Sequence, residues 1–186
     1  MRRLTHATAF GTPWTSAESD RIQDVFDGLA DGWSEEHVDP VKAAPVEDAL
    51  ARGELPLRGR WLEVGSGTGA GARIVADRVN SLVCTDLSAQ MLANAPDLAP
   101  RVRADASILP FPDDSFQVVM LINMILFPLE VDRVLCEGGA VLWVNTLGDQ
   151  TPIHLAPDDV LSALPGDWTG RTAQAGTGLW LVARRG

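Results

Sequence analysis

The chain has 186 residues, few enough for one domain and enough to bury a single core without disulfide or metal staples. Its formal charge of −10 repels phosphate backbones and argues against a nucleic-acid partner. No apolar run reaches the roughly 18 residues that span a bilayer, so no membrane association is expected.

The opening "MRRLTHATAF" carries two arginines but no apolar stretch after them, so no secretory signal is expected. Cys84 and Cys136 lie in separate apolar stretches and read as reduced, buried thiols. A cytoplasmic location follows as an expectation. Fourteen arginines stand against one lysine, Lys42, a bias that fits a GC-rich bacterial genome.

Residues 16 to 33 read as an amphipathic helix with Ser16 as N-cap, and Ile22, Val25, Phe26, Leu29, Ala30 and Trp33 form one apolar face. A second helix covers Val46 to Arg52 and ends at Gly53. From Arg60 onward strands and helices alternate. The strand candidates are Trp61–Val64, Ser81–Thr85, Val102–Ala104, Phe116–Asn123 and Ala140–Thr146. Helix candidates lie at Gly69–Val79, Ser88–Ala95 and Leu129–Cys136, with a further short one at Pro157–Leu164. Short apolar strands separated by helices predict a parallel sheet covered on both faces. "DWTGRTAQA" and "TGLWLVARR" flank a glycine turn and read as a terminal hairpin, which adds an antiparallel pair. The expected architecture is a single three-layer, Rossmann-like α/β domain. Residues 1–59 form an N-terminal helical lid, and residues 60–186 form the ligand-binding core.

The most informative stretch is "WLEVGSGTGAGA", residues 61 to 72, a strand that breaks into glycines at 65, 67, 69 and 71. A P-loop would need a Gly-Lys-Ser/Thr ending, which is missing, since Ala70-Gly71-Ala72 stand there. A nucleophile elbow would need Gly-x-Ser-x-Gly, and Val64 replaces its first glycine. A relaxed dinucleotide fingerprint does fit: Gly65-x-Gly67-x-x-Ala70, with Asp86 about 20 residues on. Asp105, in "ADASILPFPDDSF", follows the third strand candidate. Glu63, the glycine turn, Asp86 and Asp105 then lie at the C-terminal edge of successive parallel strands, where open α/β sheets bind ligands. Three carboxylates around one ligand suit a cation rich in hydroxyl and amine donors and do not suit a pyrophosphate.

"LEVGSGTGAGA", "VCTDLSAQML", "ADASILPFPDDSFQVV" and "VDRVLCEGGAVLWV" resemble, in order and spacing, the successive motifs of class I S-adenosylmethionine-dependent methyltransferases. Within that class they are most similar to the small type-11 enzymes, which include those of quinone biosynthesis. The resemblance covers about residues 60 to 146. It implies S-adenosyl-L-methionine as cofactor and a small-molecule methyl acceptor. It also implies roles for particular residues. The turn Gly65-Ser66-Gly67 with Gly69 packs against the amino-acid part of the cofactor, and Glu63 orients its methionine end. Asp86, with Leu87, holds the ribose hydroxyls, and Asp105, with Ala106, takes the adenine amine. Asn123 touches the cofactor from the end of the fourth strand. Removal of Asp86 is expected to weaken cofactor binding with folding little changed. The N-terminal segment folds over the site, with Trp33 and His37 as lid or acceptor contacts. The chain departs from the family where Leu126-Phe127 replace the histidines often found after the fourth strand. The link from strand four to strand five and the stretch after strand five are also short.

Structural readings stand beside these. Asp86 and Asp105 also serve as loop and turn carboxylates, Glu63 as a solvated strand-end charge, Asn123 as a structural strand-end polar residue, and Trp33 as helix packing. Trp61, Trp143, Trp168 and Trp180 read as core residues of strands. The three histidines are isolated, and no Cys/His spacing supports a metal. Methyl transfer needs mainly alignment of nucleophile, carbon and sulfur, so a dedicated base is optional. Two rival functions remain: a non-catalytic cofactor-binding homologue, and a nicotinamide-dependent oxidoreductase, against which Asp105 and the hairpin speak. The site reading names no catalytic base.

Overall fold

A computed structural model of the chain describes residues 1–37 and 40–186, with side chains of residues 34–40 outside the description. Seven strands form one sheet in the order β3-β2-β1-β4-β5-β7-β6. They are β1 (Arg60–Val64), β2 (Ser81–Asp86), β3 (Arg101–Arg103), β4 (Phe116–Ile122), β5 (Leu135–Asn145), β6 (Trp168–Ala175) and β7 (Gly178–Arg185). The first five pair in parallel, β7 pairs antiparallel with β5, and β6 pairs antiparallel with β7. Only β7 therefore runs against the rest, and the hairpin is inserted with its second strand inward.

Strand side chains alternate between faces, and both faces are covered. Leu62, Val119, Val141 and Trp143 face a cluster that includes Val131 and Val134 of α6 (Pro128–Val134) and Val160 of α7 (Pro157–Ala163). Trp61, Val118, Leu142 and Trp180 face the opposite cluster, with Val46 and Ala49 of α3 (Pro40–Arg52) and Val75 of α4 (Ala72–Val75). Burial on both sides explains why these strands lack polar alternation. Trp61, Trp143 and Trp180 are fully buried, whereas Trp168 is half-buried on the edge strand beneath the Arg185 guanidinium.

Several expectations shift. Helix α1 (Arg2–Ala9) had no sequence signal, because it buries only Thr5, Thr8 and Ala9 and shows no large apolar stripe. Helix α2 runs Ser16–His37, past the expected end at residue 33. Its cap is Thr15 and not Ser16: the Glu18 carboxylate accepts from the Thr15 N–H, and the Thr15 hydroxyl accepts from the Glu18 N–H. Its apolar face is only partly docked, with Ile22 and Ala30 buried and Val25 and Leu29 about half exposed. The helix expected from Gly69 begins at Ala72, because positive φ at Gly65, Gly67 and Gly69 keeps the preceding residues in a turn. Cys84 is buried, but Cys136 is part-exposed in the irregular start of β5, where its thiol meets the Asp114 carbonyl at 2.7 Å. No helix among the described residues is long and apolar enough to cross a membrane.

Candidate functional site

A cavity of about 410 Å³ opens at the C-terminal ends of β1, β2 and β4, beneath α2. Its floor is the glycine turn with Glu63, Asp86, Leu87, Asp105, Ala106 and Asn123, and its roof includes Trp14, Ile22, Phe26 and Trp33. Nine of the ten expected cofactor residues line it. The exception is Gly69, which lies behind the turn against Pro96 and contributes its φ of +79°.

Asp86 closes the turn from β2. One carboxylate oxygen accepts the Gly67 N–H at 2.8 Å and the other accepts the Ser88 N–H at 2.9 Å. Burial raises its pKa, and these backbone donors work against that rise. Gly67 has φ +53°, and a Cβ there would stand 3.4 Å from the Trp33 indole nitrogen. Helix α2 thus lies directly over the turn. The hydroxyl of Ser66 is buried, lines the cavity and has no partner among the described residues.

Asp105 is held by the N-terminal segment. Its Oδ2 accepts from Trp14 Nε1 at 3.0 Å and from Ser19 Oγ at 2.6 Å, and its Oδ1 accepts from the Ser107 N–H at 2.8 Å. Burial pushes this carboxyl up, but the donors together hold it below the ordinary aspartate value. The loop that follows is stapled by Arg133 of α6, which donates to the carbonyls of Leu109 at 3.0 Å and Phe111 at 2.8 Å and pairs with Glu130 and Asp113. A single arginine thereby braces the loop that the short α6 spans.

Helix α2 is clasped along the rim of α5 (Ala89–Ala93). The Ser88 hydroxyl donates to Asp27, Asn94 donates to the Ala30 carbonyl at 3.1 Å, and Arg103 donates to Gln23 at 2.9 Å. The Ser88 bond is the largest influence holding the Asp27 carboxyl low. Asp27 and Ser19 were not expected as site residues. Their partners lie 61 and 86 positions away, so no local pattern could have shown them.

Asn123 lines the cavity but is spent on the fold. At φ +49° it donates to Thr146 Oγ1 at 2.8 Å and accepts from the Thr146 N–H at 2.9 Å, which ties the ends of β4 and β5. His37 is the last residue of α2, and its side chain lies outside the described residues. His154 is half-buried and does not line the cavity, and burial lowers its pKa. Among the described residues no group of His, Cys, Asp and Glu is placed to hold a metal ion.

Glu63 departs most from a solvated strand-end charge. It is 2% exposed and faces α4, where a Cβ on Gly71 would collide with its carboxylate. Its side-chain partner is the Cys84 thiol, which donates at 3.7 Å. Burial, aided by nearby Asp86 and opposed by the thiol bond, pushes its pKa up from 4.5 to about 8. The ligand-free native chain therefore keeps a proton that the unfolded chain has lost across that interval. Stability is present below the lower value and falls as pH rises toward the upper one, by at most about 1.4 kcal/mol per pH unit from this group. Thermal melts between pH 5 and 8 should show the decline, and Glu63→Gln should flatten it. An unchanged slope in the variant would assign the decline to other groups.

Residues 62–143 match the family model described as "Methyltransferase domain". Demethylmenaquinone methyltransferases of Tropheryma whipplei, strains Twist and TW08/27, are 33% identical over 86 residues. That segment is 44% of this chain and 36% of each relative, so the chain matches about a third of their length. Among solved structures, DhpI in its SAH complex superposes with a TM-score of 0.75 at 18% identity, over 93% of this chain and 99% of that one. A SAM-dependent methyltransferase from Thermotoga maritima, a possible histamine N-methyltransferase, gives 0.66 at 14% identity, over 88% and 99%. At these identities the two structures speak for the fold.

Proposed function

We propose, from the premise that residues 62–143 are a methyltransferase domain, that this chain binds S-adenosyl-L-methionine and transfers its methyl group to a small-molecule acceptor. The observation that carries the reading is the cavity: strand-end carboxylates and a glycine turn on one side, an aromatic roof on the other. The residues fit the cofactor. Ser66 offers a buried hydroxyl without a partner among the described residues, Glu63 has only a weak side-chain donor, and Asp86 retains acceptor capacity beyond its two backbone bonds. When bound, the cofactor supplies a methyl group on a positively charged sulfur, a leaving group that needs no acid.

The chain's own residues have three tasks. The turn brings backbone close to the ligand, Asp86 and Asp105 orient it, and the roof of Trp14, Phe26 and Trp33 excludes water. Among the described residues no histidine or cysteine lines the cavity, and the chain contains no tyrosine. Three of the four lining carboxylates, Glu63, Asp86 and Asp105, face the cofactor side, and Glu47 lies exposed on α3. The reading therefore favours an acceptor whose nucleophile is neutral or already ionised at working pH. The apolar wall of Ile22, Met124, Ile125, Phe127 and Ile153 favours a mostly apolar molecule. Demethylmenaquinone, named for the relatives, is the first acceptor to try.

Calorimetry is expected to give micromolar binding of S-adenosylmethionine or S-adenosylhomocysteine, about −8 kcal/mol, with NAD at least roughly tenfold weaker. Preference for NAD would sink the proposal. One observation favours the second reading, a non-catalytic binding homologue: among the described residues no histidine or cysteine lines the cavity to serve as a base. Incubation with methyl-labelled cofactor and a metabolite extract separates the two readings, because only the enzyme moves the label.

A further inference from the structure

Of the three strand-end carboxylates, two are well supplied with donors from the chain. Asp86 takes two backbone N–H groups, and Asp105 takes a backbone N–H, an indole N–H and a hydroxyl. Glu63 is the most buried of the three and the least satisfied. Its side-chain partner is a thiol, the weakest donor in the repertoire, and a backbone bond from Ala72 helps it further. The charged groups lining the same cavity are Asp86 from β2, Asp105 after β3, Lys42 and Glu47 from α3, Arg73 from α4, and the exposed Met1 with its terminal ammonium. The neighbouring β4 faces Glu63 with Met120 and Ile122 and adds no charge. Arg73 and Glu47 are exposed, so water screens both. Among the described residues a carboxylate in this position has no salt-bridge partner and would carry a heavy desolvation penalty as an anion.

We infer that Glu63 waits as a neutral acid and becomes a carboxylate only when the positively charged amino-acid end of the cofactor arrives, so that one proton leaves the protein for each cofactor bound. This rests on the functional reading above. Its elevated pKa, raised chiefly by burial, agrees with the geometry. An arriving ammonium group supplies both a charge partner and strong N–H donors, which the thiol cannot. The proton passes to solvent where the ligand amine is itself charged, that is, below the usual α-amino range of about 7.7–8.0. Near pH 8 a neutral ligand amine can take the same proton instead, and net release vanishes. Affinity should therefore rise with pH by roughly tenfold per unit between about 5.5 and 7. Glu63 thus favours ligands with a cationic end over neutral ones of the same shape.

Calorimetry with S-adenosylhomocysteine at pH 6.5, in two buffers of different ionisation enthalpy, tests the release. About one proton per ligand is expected, and Glu63→Gln should bind more weakly and release none. Binding without proton release overturns the inference and leaves the cofactor assignment standing. Absence of binding by either S-adenosyl compound overturns both. A second measurement needs no ligand: the Glu63 carboxyl carbon, assigned by its loss in Glu63→Gln, is followed by NMR against pH. A midpoint above 7 is expected. A midpoint near 4.5 overturns the inference whatever the cofactor does.

Discussion

Asp86→Ala is expected to weaken cofactor binding tenfold to a hundredfold and to lower thermal stability as well. The first effect follows from loss of a charge-assisted contact to the ribose hydroxyls, worth about 1.5–3 kcal/mol. The second departs from the expectation that folding changes little, although a loop-carboxylate role stood beside the ligand contact. In the structure its two oxygens hold the N–H groups of Gly67 and Ser88 at 2.8 and 2.9 Å. Removing the carboxylate leaves both donors in a part-buried turn, at about 1–3 kcal/mol for each one that water cannot reach. In a chain of this size each kcal/mol lowers the melting temperature by about 2–4 °C. Calorimetry and a melt on the same variant read the two effects separately. A variant that melts lower yet binds normally would make Asp86 a brace of the turn and nothing more.

Trp33→Ala is expected to cut turnover roughly tenfold to a hundredfold while changing cofactor affinity much less. Misplacement of reacting groups by about 1 Å can cost a factor of this size, and entry of water adds to it. Trp33 packs edge-on to Phe26, with ring centroids 5.5 Å apart, and its indole nitrogen lies over Gly67. The helix that carries it is held by polar clasps at its middle and by Trp14 and Ser19 at its start. Lifting such a segment breaks side-chain bonds and leaves the backbone ladder of the sheet intact. Cofactor should therefore slow amide exchange across residues 16 to 37 and shift tryptophan fluorescence. If exchange there is the same with and without cofactor, Trp33 is ordinary packing.

What was legible in the sequence was what local chemistry writes. The strand–glycine–helix break after Val64 and the acidic residues after β2 and β3 are short-range patterns, and they placed Glu63, Asp86 and Asp105 around one cavity. The apolar runs marked the five parallel strands because a sheet covered on both faces needs no alternation. The inward position of β7 was not legible, since periodicity reports burial and not which strand of a hairpin pairs with β5. Nor was α1, whose buried face consists of Thr5, Thr8 and Ala9. Asn123 reads as either a cofactor contact or a structural strand-end residue; it lines the cavity, and its two bonds to Thr146 are ones that only tertiary contact creates. For Glu63, position in the motif was readable, whereas depth of burial depends on how α4 settles over β1.

Ser88 lies between two carboxylates, its N–H on Asp86 and its hydroxyl on Asp27 of α2. One residue thus touches both Asp86, the proposed ligand contact, and Asp27, which holds α2. Free-energy linkage between two such events is reciprocal. Whatever the cofactor contributes to holding α2 down, a held-down α2 returns to the cofactor in equal measure. An agent that grips the exposed back of the helix, at Val25 and Leu29, would then tighten cofactor retention from outside the cavity. One that pries the helix away would hasten cofactor departure without entering the site.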